Sequence, residues 1–422
     1  MTVLAGGIGS RFWPASTPER PKQLLPLASE RPLIVDTIER ARALVPPDRI
    51  RILAGAHLVG PFRSVLDDTP EECYWIEPRA RGTAPVLAWA AKKLVGIDPE
   101  AVMVSLHADH LIEPLEGFVE TVASAVEIAR RDELLLSIGV APDRVETGYG
   151  HIEPGAALAP AGAADATRVV RFHEKPDAAT ARDYVDRGFL WNTGIFVWKA
   201  SVLLDELSRH APDVHEALRH LETSDAAFFD AAPVSVIDRA VMERSDRVGT
   251  VTARFAWDDV GSWEALARTR GPDAGGNVIL GGGTAVEGTD NVVYADAGRR
   301  VVLLGADRLI VVQAGDTTMV LPREQAPRIK DLVARTVEEL GGLHLVVNNA
   351  GITRDKSAKK LTEDVLLQSL EHAEPVKVKT GSYIAIGMDG EPYSIGAHTL
   401  HSRYTSSRRR LLNWLKRIFR LN

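Results

Sequence analysis

The chain has 422 residues, 45% hydrophobic and 25% charged, with a formal net charge of −7. That balance fits a soluble globular protein of two or three domains and argues against a general nucleic-acid binder. The single cysteine, Cys73, excludes an intrachain disulfide framework and a cysteine-rich metal site, and no apolar run is long enough to span a bilayer.

The first element is a short apolar strand that runs into Leu4-Ala5-Gly6-Gly7-Ile8-Gly9-Ser10-Arg11, with Pro21-Lys22-Gln23 soon after. Glycines let a backbone lie flat against a ligand and aim several N–H groups at one anion. Arg11 and Lys22 add full positive charges for phosphate oxygens. No glycine-lysine-serine/threonine ending follows, so this is not a P-loop, and Phe12 stands where a dinucleotide fingerprint needs its third glycine. The expectation is a nucleoside triphosphate site after the first strand. Met1 leads directly into this loop, so no secretory leader is expected.

Helical spacing of apolar residues covers 33–44 and ends at Pro46-Pro47. Short strands are expected at 49–55, 74–76, 101–106 and 134–140. Helices are expected at 86–95 and 118–130. This alternation implies an α/β fold, Rossmann-like, with a mixed, mostly parallel sheet flanked by helices. Ligands then bind beyond the carboxyl ends of the strands. Past the strand at 101–106 lies His107-Ala108-Asp109-His110. Two histidines and an aspartate raise a hydrolytic metal site, but the pattern needs a further histidine where Ser105 stands.

The run "LAGGIGSRFWPAS…RPKQLLPL" resembles the opening of the sugar-1-phosphate nucleotidyltransferases, most closely the mannose-1-phosphate guanylyltransferases. Further stretches match in the family's order. Glu77–Pro85 resembles its "EP…R-x-TAP" loop, which makes Gly82 and Thr83 guanine contacts by resemblance. Thr83 also reads as a helix cap. Ala108-Asp109-His110 resembles the "ADH" motif, whose aspartate binds magnesium. Glu146–Ile152 resembles "ETGYGYI", with His151 replacing a tyrosine and Gly148 beside the sugar. Glu174-Lys175-Pro176 resembles "EKP", where the lysine meets the sugar phosphate and the glutamate a hydroxyl. Trp191-Asn192-Thr193-Gly194 resembles "WNSG", where the asparagine holds the sugar. Ser235–Glu243 resembles "SIDYAVME". Trp257–Trp263 resembles "WSDVGSW", with Asp259 as the second metal-binding aspartate and Asp258 at a less constrained position.

The resemblance implies GMP transfer from GTP to mannose 1-phosphate, with release of pyrophosphate. Arg11, Lys22, Asp109 and Asp259 are the catalytic set, and Asp109 and Asp259 the Mg²⁺ ligands. Leu4, Ala5, Gly6, Gly7, Gly9, Ser10, Gly82 and Thr83 bind the nucleotide, and Gly148, Glu174, Lys175 and Asn192 the sugar phosphate. A cytoplasmic homodimer is expected. Two rivals stand beside this reading: the same chemistry on glucose 1-phosphate or another sugar, and a nucleotide-sugar binding protein without turnover.

The expected domains are 1–270, catalytic; 271–341, a small β-domain resembling a left-handed β-helix, closed by a helix at 323–340; and 342–422, an unrelated, poorly packed tail. In the tail, 343–356 resembles the "NNAG" strand and loop of short-chain dehydrogenases, without that family's coenzyme loop or Tyr-x-x-x-Lys pair. At 408–421, Leu411, Leu412, Trp414, Leu415, Ile418, Phe419 and Leu421 share one helical face, opposite Arg409, Arg410, Lys416, Arg417 and Arg420. Such a helix fits weak contact with an anionic membrane, or packing on the protein's own surface.

Overall fold

A computed structural model describes residues 1–7, 9–329 and 331, and the backbone of four later strands, Leu345–Val347, Ala373–Val378, Ser382–Gly387 and Pro392–Gly396. The chain divides into two compact units. The first holds Met1–Phe12 with Ser16–Arg270, and the second holds Trp13–Ala15 with the residues from Gly271 onward.

The first unit is built on a mixed sheet. Its strands are β1 (Thr2–Leu4), β2 (Arg51–Gly55), β3 (Tyr74–Glu77), β4 (Val102–His107), β6 (Leu135–Val140), β7 (His151–Ala157), β8 (Ala166–His173), β9 (Leu190–Lys199) and β10 (Val248–Thr252), in the order β3-β2-β1-β4-β9-β6-β10-β8-β7. β5 (Leu111–Glu113) and β11 (Ala256–Asp258) form a separate antiparallel pair. Strands β3, β2, β1 and β4 run parallel, and β9 enters antiparallel between β4 and β6.

Successive residues of these strands face opposite sides. Val3, Ile52 and Val104 join one core with helices α1 (Leu33–Arg42), α2 (Ala56–Arg63) and α4 (Leu115–Asp132). Leu4, Leu53 and Met103 join a second core, against helix α3 (Thr83–Ile97) and the helix Ala200–His210. Both faces are buried, which is why these strands read as continuous apolar runs rather than alternating ones. Helices α3 and α4 extend a few residues beyond their expected stretches at 86–95 and 118–130, whereas α1 ends at Arg42, short of the expected 44, because periodicity marks the packed face and not the ends.

The second unit stacks parallel strands in two ladders. Val278–Leu280, Val292–Ala295 and Leu309–Ala314 form one, and Gly283–Val286 pairs with Val301–Leu304 in the other. Asparagines stack between turns of the chain: Asn291 Nδ2 donates to Asn277 Oδ1 at 2.9 Å, and Asn291 Oδ1 accepts from the Leu309 N–H. This is the β-helix-like domain expected from the sequence.

The expected helix at 323–340 begins instead as a 3-10 turn, Arg323–Arg328, with Pro327 inside it. Proline lacks the N–H that an α-helical turn needs. The dehydrogenase-like loop at 348–356 and the amphipathic run at 408–421 lie outside the described residues.

Candidate active site

The glycine loop leaves β1 at its carboxyl end, and its geometry requires glycine at one position above all. Gly9 has φ +74°, and a Cβ there would lie 2.3 Å from Lys22 Cβ. The loop therefore closes directly over the lysine, and any side chain would push the two apart. Gln23 fixes the same loop by donating from Nε2 to the Gly7 carbonyl at 2.9 Å.

Lys22 is 5% exposed. Its ammonium donates to Asp109 Oδ2 at 2.9 Å and to the Asp259 backbone carbonyl at 2.7 Å. Asp109 follows the end of β4, next to β1, and Asp259 follows β11, so three distant stretches of chain meet at one cation. Burial alone would raise the Asp109 pKa. Lys22, then His110 and His107, outweigh it and hold the carboxyl at about 2. Arg11 reaches the same turn, donating to the Gly261 carbonyl at 3.0 Å.

Asp259 has a second anchor that the sequence reading missed. The Tyr149 hydroxyl donates to Asp259 Oδ1 at 2.7 Å. Burial, then the Asp259 and Asp258 carboxylates, push the Tyr149 pKa far up, so the phenol stays a donor. Its ring packs edge-on against Trp191 and Trp257.

Asp258 is more constrained than the sequence suggested. It is 6% exposed, accepts from the Val260 N–H at 2.7 Å and pairs with Arg268 at 3.1 Å. Val260 has φ +44°. Asp258 thus ties down the left-handed turn that presents Asp259.

His107, Asp109 and His110 bring potential ligand atoms within 4.8 Å of one another. The hydrogen bonds argue against His110 as a metal ligand. Trp257 Nε1 donates to His110 Nδ1 at 3.1 Å, so neutral His110 carries its proton on Nε2 and has no lone pair left for a metal. Within this cluster Asp109 offers a carboxylate oxygen, a donor type that suits a hard divalent cation.

A second cluster surrounds Asn192. Its Oδ1 accepts from Ser137 Oγ at 2.7 Å and from the Gly194 N–H at 3.0 Å, while Nδ2 donates to Asp238 Oδ1 at 2.9 Å. These bonds fix the amide and leave one Nδ2 hydrogen. Burial, then the Glu174 carboxylate, raise the Asp238 pKa to about 6. Glu174 and Lys175 pair with each other at 2.7 Å. A Cβ on Gly150 would meet Glu174 Oε2 at 2.8 Å and Asn192 Cβ at 3.2 Å. Tyr149 and Gly150, adjacent in sequence, therefore join the two clusters. Gly148 donates its N–H to Glu146 Oε1 at 2.9 Å and lies at the exposed rim.

Thr83 does not act as the helix cap. The residue before α3 is Gly82, at φ +87°, and no side chain caps the helix. The Thr83 hydroxyl instead accepts from the Ile237 N–H at 2.9 Å, and Ser235 bonds Arg81 and Ala84 through its backbone. A Cβ on Gly82 would lie 2.3 Å from the Ser235 carbonyl oxygen. The Arg81–Ala84 loop is thus locked onto Ser235–Ile237, the segment that leads into Asp238.

A cavity of about 1230 Å³ opens at the other end of the strands, beside Met1, Arg51 and Val102. It contains none of the candidate residues, and ligands in such sheets bind beyond the carboxyl ends instead.

The sequence pattern of the family described as Nucleotidyl transferase matches residues 2–271, and that of the MannoseP isomerase/GMP-like beta-helix domain matches residues 281–336. The alginate biosynthesis protein AlgA of Pseudomonas syringae pv. tomato is 35% identical over 353 residues, covering 80% of this chain and 72% of AlgA. A mannose-1-phosphate guanylyltransferase of Salmonella muenchen is 33% identical over 348 residues, covering 78% and 72%. A crystal structure described as mannose-1-phosphate geranyltransferase from Thermus thermophilus matches with a TM-score of 0.71 at 34% identity, covering 79% of this chain and 98% of that one.

Proposed function

The chain belongs to the nucleotidyl transferase family, and on that premise we propose that it transfers GMP from GTP to mannose 1-phosphate. An oxygen of the sugar phosphate attacks the α-phosphorus of GTP. A new O–Pα bond forms, the bond between the α-phosphorus and its bridging oxygen breaks, and pyrophosphate leaves with that electron pair.

The observation that carries this reading is the meeting of Lys22, Asp109 and Asp259 beside the glycine loop. Phosphoryl-type transfer needs positioning and charge neutralisation more than covalent chemistry. Leu4, Ala5, Gly6, Gly7, Gly9 and Ser10 line the triphosphate, and Arg11 and Lys22 offset its charge. Asp109 and Asp259 would hold Mg²⁺, which when bound neutralises charge on the phosphate oxygens. Lys175 meets the incoming phosphate, and Glu174 and Asn192 meet sugar hydroxyls with Gly148 alongside. Gly82 and Thr83 flank the base.

The chemistry belongs to residues 1–270, with 271–341 as an attached β-domain. Residues 342–422 take no part, so deleting them should leave the rate within a few-fold. The reading is of a cytoplasmic homodimer, because GTP and sugar phosphates are cytoplasmic substrates. The test is pyrophosphate release from GTP on a panel of sugar 1-phosphates. Mannose 1-phosphate should be used best, and a strong preference for glucose 1-phosphate would replace the sugar assignment. Binding of GDP-mannose without any turnover would instead favour the non-catalytic reading.

A further inference from the structure

Glu174 is the first residue beyond β8, and the chain turns there into Lys175-Pro176. Lys175 has φ +53°, in the left-handed region. That conformation costs a residue with a Cβ about 1–2 kcal/mol, and proline pushes the residue before it towards extended backbone. Such a turn persists only where its surroundings hold it. After Lys175, Pro176 is buried, and Asp177 caps the helix Ala178–Asp186 by accepting from the Thr180 N–H at 2.8 Å. Before it, Glu243 Oε1 accepts from the Glu174 N–H at 2.8 Å.

Glu243 reaches this position through an irregular turn. Asp238–Met242 is a π-helical turn, and the Glu243 N–H donates to the Asp238 carbonyl at 2.9 Å. On an α-helix, residues five apart point about 140° away from each other. A turn whose hydrogen bonds span five residues brings the fifth back over the first. Asp238 and Glu243 therefore serve the same loop. Asp238 accepts from Asn192 Nδ2 and lies beside the Glu174 carboxylate, while Glu243 holds the Glu174 backbone.

Glu174 and Lys175 are the residues assigned to a sugar hydroxyl and to its phosphate. Their side chains pair with each other at 2.7 Å, so that contact does not anchor the turn to the rest of the fold. The bond from Glu243 does. Its carboxylate acts on the backbone that aims both side chains, one residue ahead of the strained lysine.

We infer that Glu243 is a positioning residue for the sugar phosphate: it clamps the Glu174 N–H and so aims Lys175 at the phosphate of mannose 1-phosphate. The inference rests on the nucleotidyl-transfer reading of the same site. Charge alone predicts the opposite of the clamp. A carboxylate near an incoming phosphate repels it, so its removal should lower KM, whereas loss of the clamp should raise it.

The experiment measures pyrophosphate release by the full chain, varying mannose 1-phosphate and GTP in turn, in the wild type, Glu243→Ala, Glu243→Gln, Lys175→Met and the Glu243→Ala/Lys175→Met double variant. Glu243→Ala should raise KM for mannose 1-phosphate about 10- to 100-fold, the range of one hydrogen bond to a charged group. KM for GTP and kcat should change far less. Glu243→Gln keeps an oxygen that accepts from the Glu174 N–H, so it should recover most of the loss. In the Lys175→Met background, Glu243→Ala should add little further, because the clamp acts through the lysine. An unchanged or lowered KM for mannose 1-phosphate in Glu243→Ala overturns the inference, as does an equal loss on both substrates or full additivity in the double variant. Each of these leaves the transfer reading intact. A wild type that releases no pyrophosphate from any nucleotide overturns the transfer reading and this inference together.

Discussion

Lys22 Nζ lies 2.9 Å from Asp109 Oδ2, a contact between residues 87 apart in sequence. Both side chains are largely withdrawn from solvent, at 6% and 25% exposure. The lysine serves the fold and the site at once. It compensates a carboxylate that folding has desolvated, and it places a positive charge beside the glycine loop.

Lys22→Met should therefore lose on both counts. Removing one partner of a buried pair leaves the other uncompensated, at a cost on the order of a few kcal/mol. Turnover should fall by roughly 10²–10³, as when one main electrostatic stabiliser is removed. Urea unfolding and steady-state kinetics on the same preparation check both effects. Full activity in the variant would remove Lys22 from the chemistry.

Asp109→Asn and Asp259→Asn should each lower the rate by about a hundredfold or more. Tyr149→Phe should act differently. It keeps the ring between Trp191 and Trp257 and deletes only the hydroxyl that holds Asp259 Oδ1. The Mg²⁺ concentration giving half-maximal rate should then rise about 10- to 100-fold, the usual effect of losing a group that orients a metal ligand. The rate at saturating Mg²⁺ should change far less. An unaltered Mg²⁺ requirement would show that Tyr149 only packs.

The parts of the site that were legible in the sequence are those with local backbone demands. Gly9 must be glycine because of its φ and the lysine beside it, and both aspartates follow short apolar strands. The helices α1 and α4 announce themselves by one packed face, whereas the first two turns of α3 are buried all round. What stayed hidden depends on distant chain segments meeting. Tyr149 and Asp259 are 110 residues apart, and nothing near either one shows that they bond. The pairing of β5 with β11 rests on three residues a side, too few for periodicity to register. Asp238 sits within a matched motif, but its burial beside Glu174 comes only from tertiary packing.

Asp258 illustrates the same limit and gives a prediction opposite to the one its sequence position suggests. The Asp258 carboxylate holds the Val260 N–H and Arg268, and both bonds weaken when it becomes an amide. Asp258→Asn should cost about 1–3 kcal/mol of stability. It should also slow turnover, because the turn at Val260 aims Asp259. Asp259→Asn, beside it, should slow turnover with little loss of stability. Thermal unfolding of the two variants, side by side, distinguishes a structural aspartate from a chemical one.

On the proposed reading, Asp238 should make stability and sugar binding depend on pH in ways that can be read separately. Its pKa in the folded chain is about 6, raised by burial and then by the Glu174 carboxylate, against about 3.9 for an unperturbed aspartate. Between those values the folded chain keeps a proton that the unfolded chain has released. Stability from this group therefore falls as pH rises from about 4 to about 6, and the loss is complete above that window. A shift of this size corresponds to roughly 2–3 kcal/mol. Asp238→Asn removes the titration, so its stability curve should be flatter than that of the wild type across the same window. Ionised Asp238 is also the better acceptor for a sugar hydroxyl and for Asn192 Nδ2. In the wild type, KM for mannose 1-phosphate should rise as pH falls below about 6. In the variant it should start high and vary less. The substrate's own phosphate titrates in this range, but equally for both proteins, so the difference between them belongs to Asp238. If the two KM profiles run parallel, Asp238 takes no part in holding the sugar.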